Sequence, residues 1–187
     1  TLVLLKPDAV QRALVGEILS RFERTGFKIV GLKMCYATKD LAGKHYADDD
    51  AWLTSVGEKM KKAYEAKGQK IAETSKAIGQ RVRQQLMDFI TMSPTIAVVL
   101  EGHDVINKVR TVVGDTAPSK AAPGTIRGDY SFDSYGLADV SGRPIQNLIH
   151  ASDSVESAKR EMVIWFKKDE IHPYQRVDEA LLYRTGK

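Results

Sequence analysis

The stretch Asn147-Leu-Ile-His150-Ala-Ser152-Asp153-Ser-Val-Glu-Ser-Ala-Lys-Arg-Glu161 sets an apolar strand end directly against a helix start. Leu148 and Ile149 close the strand. Asp153 is a good N-cap residue, and Glu156 three places on completes a capping-box-like pair. Val155, Ala158, Met162 and Trp165–Phe166 recur at helical spacing and give the helix one apolar face. His150 falls in the link, beside the free N–H groups and positive end of that helix. Such a place suits a phosphate and disfavours an imidazolium. A lone histidine at a helix start is most often a surface or capping residue, so the rest of the chain decides its meaning.

Working outward, Thr1–Leu5 reads as a short buried strand, and Leu14, Ile18, Leu19 and Phe22 mark a helix that stops at Gly26. Phe27–Ala37 is a strand rich in branched and aromatic residues. Thr38 caps a short helix that ends near His45–Tyr46. Thr95–Leu100 is a second buried strand, and Asp104 caps a helix with Val105, Ile106, Val109 and Val113 on one face. Strand, helix, strand, strand, helix, strand predicts an α+β sandwich with helices on one face of an antiparallel sheet.

Two segments exceed that frame. Ile71, Ser75, Ile78, Val82, Leu86 and Phe89 form a sustained helical stripe, and Val56, Met60 and Tyr64 a shorter one, with Gly68 between them. A helical hairpin is expected there, laid against the body or a neighbouring subunit. Tyr130–Gln146 contains the turn-like Asp-Val-Ser-Gly-Arg-Pro at 139–144, which predicts a β-hairpin or an extended loop.

Of the 187 residues, 43% are hydrophobic and 28% charged, the balance of an ordinary globular domain. No apolar run approaches the ~20 residues of a membrane span. The chain opens in a strand-like segment with no signal peptide in view, although the missing initiator Met means that trimming could hide one. Cys35, the single cysteine, reads as a small buried residue, and a reducing cytoplasm fits. The formal charge of +4 is concentrated between Ser55 and Ile90, where eight Lys or Arg face four acids. A basic segment of this kind can attract nucleotides or nucleic acid, but a solvated helix face is the commoner reading.

Lys6-Pro-Asp-Ala-Val10 follows the first strand, and Pro123-Gly-Thr-Ile-Arg127-Gly-Asp129 precedes the His150 run. Three ungapped blocks in this order resemble the nucleoside diphosphate kinase family over most of the chain, to about Trp165–Phe166. The resemblance implies a ferredoxin-like βαββαβ fold and one domain over residues 1–187. Insertions then fall at about 53–92 and 130–146, with a C-terminal extension at 167–187. It also implies a dimer-based homo-oligomer, a tetramer or a hexamer.

By the same resemblance His150 becomes phosphohistidine, taking the γ-phosphoryl group from a nucleoside triphosphate and passing it to a nucleoside diphosphate. Ser152 and Glu161 match the residues that orient its ring. Lys6 matches the contact to the ribose hydroxyl and transferred group, and Arg110, Thr116 and Arg127 the phosphate clamp. Asn147 matches the ribose-binding asparagine and Tyr46 the tyrosine near the phosphates. Trp52 is the candidate for stacking on the base, reached only after a small deletion. Stacking without base-edge contacts implies broad base tolerance. Magnesium is implied on the substrate phosphates, with Asp153 and Asp48 within reach through water. His45, His103 and His172 show no zinc-like arrangement. A nucleic-acid-binding or scaffolding protein using the basic hairpin is the alternative.

Overall fold

The computed structural model describes residues 1–46, 48–65, 68 and 72–183, the side chain of residue 63 excepted. Four strands, β1 (Leu2–Leu5), β2 (Lys28–Cys35), β3 (Thr95–Glu101) and β4 (Ile149–Ala151), form one sheet in the order β2-β3-β1-β4. All neighbours are antiparallel. The helices are α1 (Pro7–Gln11), α2 (Val15–Arg24), α3 (Lys39–His45), α4 (Asp50–Glu65), α5 (Ser75–Thr91), α6 (Val105–Val113), α7 (Ile126–Tyr130), α8 (Tyr135–Val140), α9 (Val155–Trp165) and α10 (Glu179–Leu182). This is an α+β, ferredoxin-like arrangement, as expected, with α2 and α6 as its two crossovers.

Val3, Leu5, Val98 and Leu100 meet Ile18 and Phe22 of α2 and Val109 and Val113 of α6 on one face. The sequence reading put helices on that face alone. The opposite face is covered too, where Leu2, Leu4, Ala97 and Val99 meet Ala42 of α3, Ile90 of α5 and Trp165 of α9. The reason lies in the strands themselves. LVLL and TIAVVL are unbroken apolar runs, and side chains alternate across a sheet, so both faces need cover.

The expected helical hairpin is present as α4 and α5. Its helices cross where two glycines meet the opposing backbone: a Cβ on Gly57 would lie 1.8 Å from the Ser75 carbonyl oxygen, and one on Gly79 2.1 Å from that of Leu53. Ile78 and Phe89 of the predicted stripe are buried, whereas Ile71 lies outside the described residues. The pair is laid against the body. Arg83 of α5 donates from Nε to the Tyr46 carbonyl at 2.7 Å and from an Nη to that of Gly43 at 3.3 Å.

Residues 130–146 hold a helix, α8, where a hairpin or loop was expected. Ser134 supplies its cap by accepting from the Leu137 N–H, and Gly142, at φ +61°, ends it. The turn-like residues are therefore the end of a helix. Tyr64 of α4 hydrogen-bonds Asp139 of α8, so the two long segments touch. Beyond α9 the chain returns along β2, where the His172 N–H donates to the Val30 carbonyl and Lys28 Nζ to Glu179.

Candidate active site

Leu148 sets the geometry of the site. It is fully buried and has φ +66°, rare for a branched residue, and the Ile149 N–H reaches back to the Asn147 carbonyl at 2.7 Å. Two other segments hold this tight turn. Asp8 Oδ2 accepts from the Leu148 N–H at 2.9 Å, and the Lys6 N–H donates to the Leu148 carbonyl at 2.8 Å. Arg127 donates from Nε to the Asn147 carbonyl and from an Nη to that of Ile149.

His150 therefore sits inside β4, opposite Leu4, and not in a link as the sequence suggested. The turn at Leu148 realigns the chain, so three residues still pair with β1. The helix cap also moves by one place. Ser154, not Asp153, caps α9 by accepting from the Ser157 N–H at 3.0 Å, because both types cap well and the backbone puts Ser154 at the boundary. Asp104 stands at the start of α6 but has left-handed backbone and makes no capping bond.

Around the histidine the side chains converge. His150 Nε2 lies 2.8 Å from Glu161 Oε2, and the same oxygen accepts from Ser152 Oγ at 2.7 Å. Ser152 is fully buried and Glu161 nearly so, while the His150 side chain keeps 25% of its surface open. Burial pushes the Glu161 carboxyl up. The His150 hydrogen bond, the charge of that ring and the Ser152 bond pull it down further, to a net position below 4.5. An ionised carboxylate only accepts, so Nε2 carries the proton and a neutral ring has its lone pair on Nδ1.

Lys6 is buried, and its Nζ donates to Asn147 Oδ1 at 2.7 Å. Burial, then the neighbouring Arg127 charge, lowers its pKa to about 8 against the opposing pull of Asp8. Asn147 Nδ2 donates to the Thr116 carbonyl at 2.8 Å, so Lys6, Asn147 and Thr116 form one chain of contacts. The Arg127 guanidinium is anchored on backbone, with Gly114 and Asp115 as further acceptors, while Arg110 is exposed at the end of α6. The three cations lie close enough to feel one another, Arg127 acting on Lys6 and Arg110 on Arg127. Tyr46 is half-buried at the end of α3, and Trp52 sits in the first turns of α4, its N–H held by Asp49 Oδ1 at 2.8 Å.

Sequence reasoning missed His45. It is 4% exposed, with its ring edge-to-face on His150 at 4.6 Å and its Nδ1 accepting from Trp165 Nε1 at 3.3 Å. One donor atom each from His45, His150 and Glu161 lie within 4.8 Å of one another, a grouping that the sequence reading, with no zinc-like arrangement of His45, His103 and His172, does not foresee. Of their polar atoms, His45 Nδ1 is engaged by Trp165, and Glu161 Oε2 by both His150 and Ser152. The set is also rich in nitrogen, unlike the all-oxygen shell that magnesium requires.

The family model described as nucleoside diphosphate kinase matches residues 1–52 and 53–171. A nucleoside diphosphate kinase from Pyrobaculum aerophilum is 46% identical over 176 residues, covering 91% of this chain and 96% of that protein. The crystal structure of an NDP kinase from the same organism superposes with a TM-score of 0.89 at 43% identity, covering 92% of this chain and 97% of that one. A Borrelia burgdorferi nucleoside-diphosphate kinase, solved as a transition-state mimic with vanadate and ADP, gives 0.80 at 39% identity, covering 96% and 94%.

Proposed function

This chain belongs to the nucleoside diphosphate kinase family and is an enzyme of nucleotide phosphoryl transfer, and we propose that it works by ping-pong exchange through His150. The observation that carries this reading is the shared Glu161 oxygen, which ties down Nε2 and leaves Nδ1 as the nucleophile. In the first half-reaction Nδ1 forms a bond to the γ-phosphorus as the bond to the β–γ bridging oxygen breaks. The electron pair leaves with the nucleoside diphosphate. A terminal oxygen of a second diphosphate then reverses the step.

The developing charge lies on phosphate oxygens, so the cations decide the rate. The Lys6 ammonium serves the transferred group and ribose, with Asn147 its neighbour at the sugar. Arg110, Arg127 and Thr116 hold the phosphates, Arg127 as a fixed charge braced on carbonyls. Tyr46 lines the phosphate site and Trp52 stacks on the base, an arrangement tolerant of many bases. Magnesium would be held through the nucleotide phosphates, where it would supply neutralisation of their negative charge. Asp153 and Asp48 would reach it through water.

We read residues 1–187 as one catalytic unit with insertions at 53–92 and 130–146 and an extension at 167–187. A homo-oligomer built on dimers is part of the proposal, and exposed Leu32 and Met34 on the edge strand β2, with exposed Tyr36 just beyond its end, support it. So is a cytoplasmic setting, where nucleotides and the free Cys35 thiol belong. No described helix is long and apolar enough to cross a membrane. Nucleic-acid binding by the hairpin is not favoured, because relatives matched over nearly the whole chain are nucleoside diphosphate kinases.

Incubation with [γ-32P]ATP and magnesium should give an acid-labile, alkali-stable protein adduct that ADP discharges. His150→Ala should abolish the adduct and lower exchange by about 10³-fold or more. A His150→Ala protein that still exchanges phosphate at the wild-type rate rejects the mechanism.

A further inference from the structure

Glu161 holds His150 at one atom. A single bond to Nε2 fixes that nitrogen but leaves the imidazole able to swing about it, carrying Nδ1 out of line with the incoming phosphorus. A second constraint is needed, and it must come from a direction that the carboxylate does not occupy.

We propose that His45 is a positioning residue: its ring, set perpendicular to that of His150, fixes the rotation of the nucleophilic imidazole. The two centroids lie 4.6 Å apart at an interplanar angle of 88°. His45 is itself immobilised. Its ring meets Tyr46 at 4.7 Å and Trp165 at 5.8 Å, both edge-to-face, and it closes α3 in a buried position. The indole N–H of Trp165 can only donate, so His45 Nδ1 must accept and the ring proton resides on Nε2. Burial, followed by the nearby His150 charge, holds the His45 pKa well below 6.5 and so keeps the ring neutral. A neutral neighbour adds no like charge beside an imidazole that gains positive character as it accepts the phosphoryl group.

This inference deepens the phosphohistidine reading and rests on it. Two full-volume variants separate the ring contact from the hydrogen bond. His45→Gln retains an acceptor for Trp165 but has no ring, whereas His45→Phe retains a ring but no acceptor. Adduct formation is followed by rapid quench in a single turnover with [γ-32P]ATP and magnesium, and nucleotide affinity by ADP titration. His45→Gln should slow phosphorylation by about tenfold or more, since small misalignments cost large factors. His45→Phe should stay within about threefold of wild type, and ADP affinity should be unchanged in both. Equal rates in the two variants, the reverse order, or a parallel loss of ADP affinity overturns the positioning role. A wild-type protein that forms no adduct overturns the phosphohistidine reading beneath it.

Discussion

Arg83 donates to the backbone carbonyl of Tyr46 at 2.7 Å, so the α4–α5 pair is tied to the residue that ends α3 beside the nucleophile. The second bond, to Gly43, makes the guanidinium a brace across the last turn of that helix. Arg83→Ala leaves these carbonyls without their donor and loosens Tyr46. We expect KM for nucleotides to rise about three- to tenfold with a smaller change in kcat. Steady-state kinetics check this, and an unchanged KM would remove the link between the hairpin and the site.

Glu161→Gln keeps the size of the side chain but loses its charge. Phosphorylation should slow by about 10²-fold, because the charged acceptor shared by His150 and Ser152 becomes a neutral amide, whose oxygen accepts more weakly and whose NH2 can only donate, so tautomer and aim are held less firmly. The pH dependence of stability has a definite sign. The folded carboxyl lies below its ordinary 4.5, so its contribution is complete above that value and is lost as pH falls through the folded pKa. The gap in Tm between wild type and Glu161→Gln should therefore narrow on acidification, as calorimetry at about pH 6 and about pH 4 would reveal. A constant gap contradicts the assignment.

Lys6 titrates at about 8 in the fold against 10.5 in the open chain. Keeping it charged costs stability below about 8, and that cost is relieved as pH climbs towards 10.5. Activity runs the other way, because the neutral amine no longer attracts phosphate. The prediction is an alkaline limb in kcat/KM with an apparent pKa near 8, shifted upward in kcat because bound phosphates favour the ammonium. A profile flat to about pH 10 would exclude Lys6 from the chemistry.

Gly79→Ala tests the crossing of α4 and α5. Alanine favours a helix by about 1 kcal/mol over glycine, but the new Cβ would press on the Leu53 carbonyl at 2.1 Å, and backbone cannot yield as a side chain can. A net loss of about 1–3 kcal/mol is expected in urea unfolding. Gly16→Ala in α2, with open space around it, should show only the propensity gain and serves as the control. Similar midpoints for the two variants would mean that the helices do not touch through these glycines.

Much of the fold was legible because its signals are local. The apolar runs at Thr1–Leu5 and Thr95–Leu100, the Thr38 cap and the Gly26 stop all lie within a few residues of what they specify. The same runs also carried the message that both faces are covered, which their lack of alternation encodes. What stayed hidden depends on distant partners. The turn at Leu148 is set by Asp8, and the place of His45 by Trp165. No window of sequence holds either pair. Helix α8 was obscured for another reason: Ser, Gly and Asp favour turns and helix ends alike, and only the neighbouring bonds tell them apart.

The left-handed residue at 148 also bears on how the protein reaches its working form. The one local bond there, from the Ile149 N–H to the Asn147 carbonyl, works against the strain of a left-handed leucine, so in a partly assembled molecule Leu148 is expected to relax to an ordinary conformation, with Asn147 and His150 losing their alignment. The shape is imposed only when Lys6, Asp8 and Arg127 have closed around it. Catalytic competence is thus a late event in maturation, and recovery of turnover on dilution from denaturant should trail the return of helical circular dichroism.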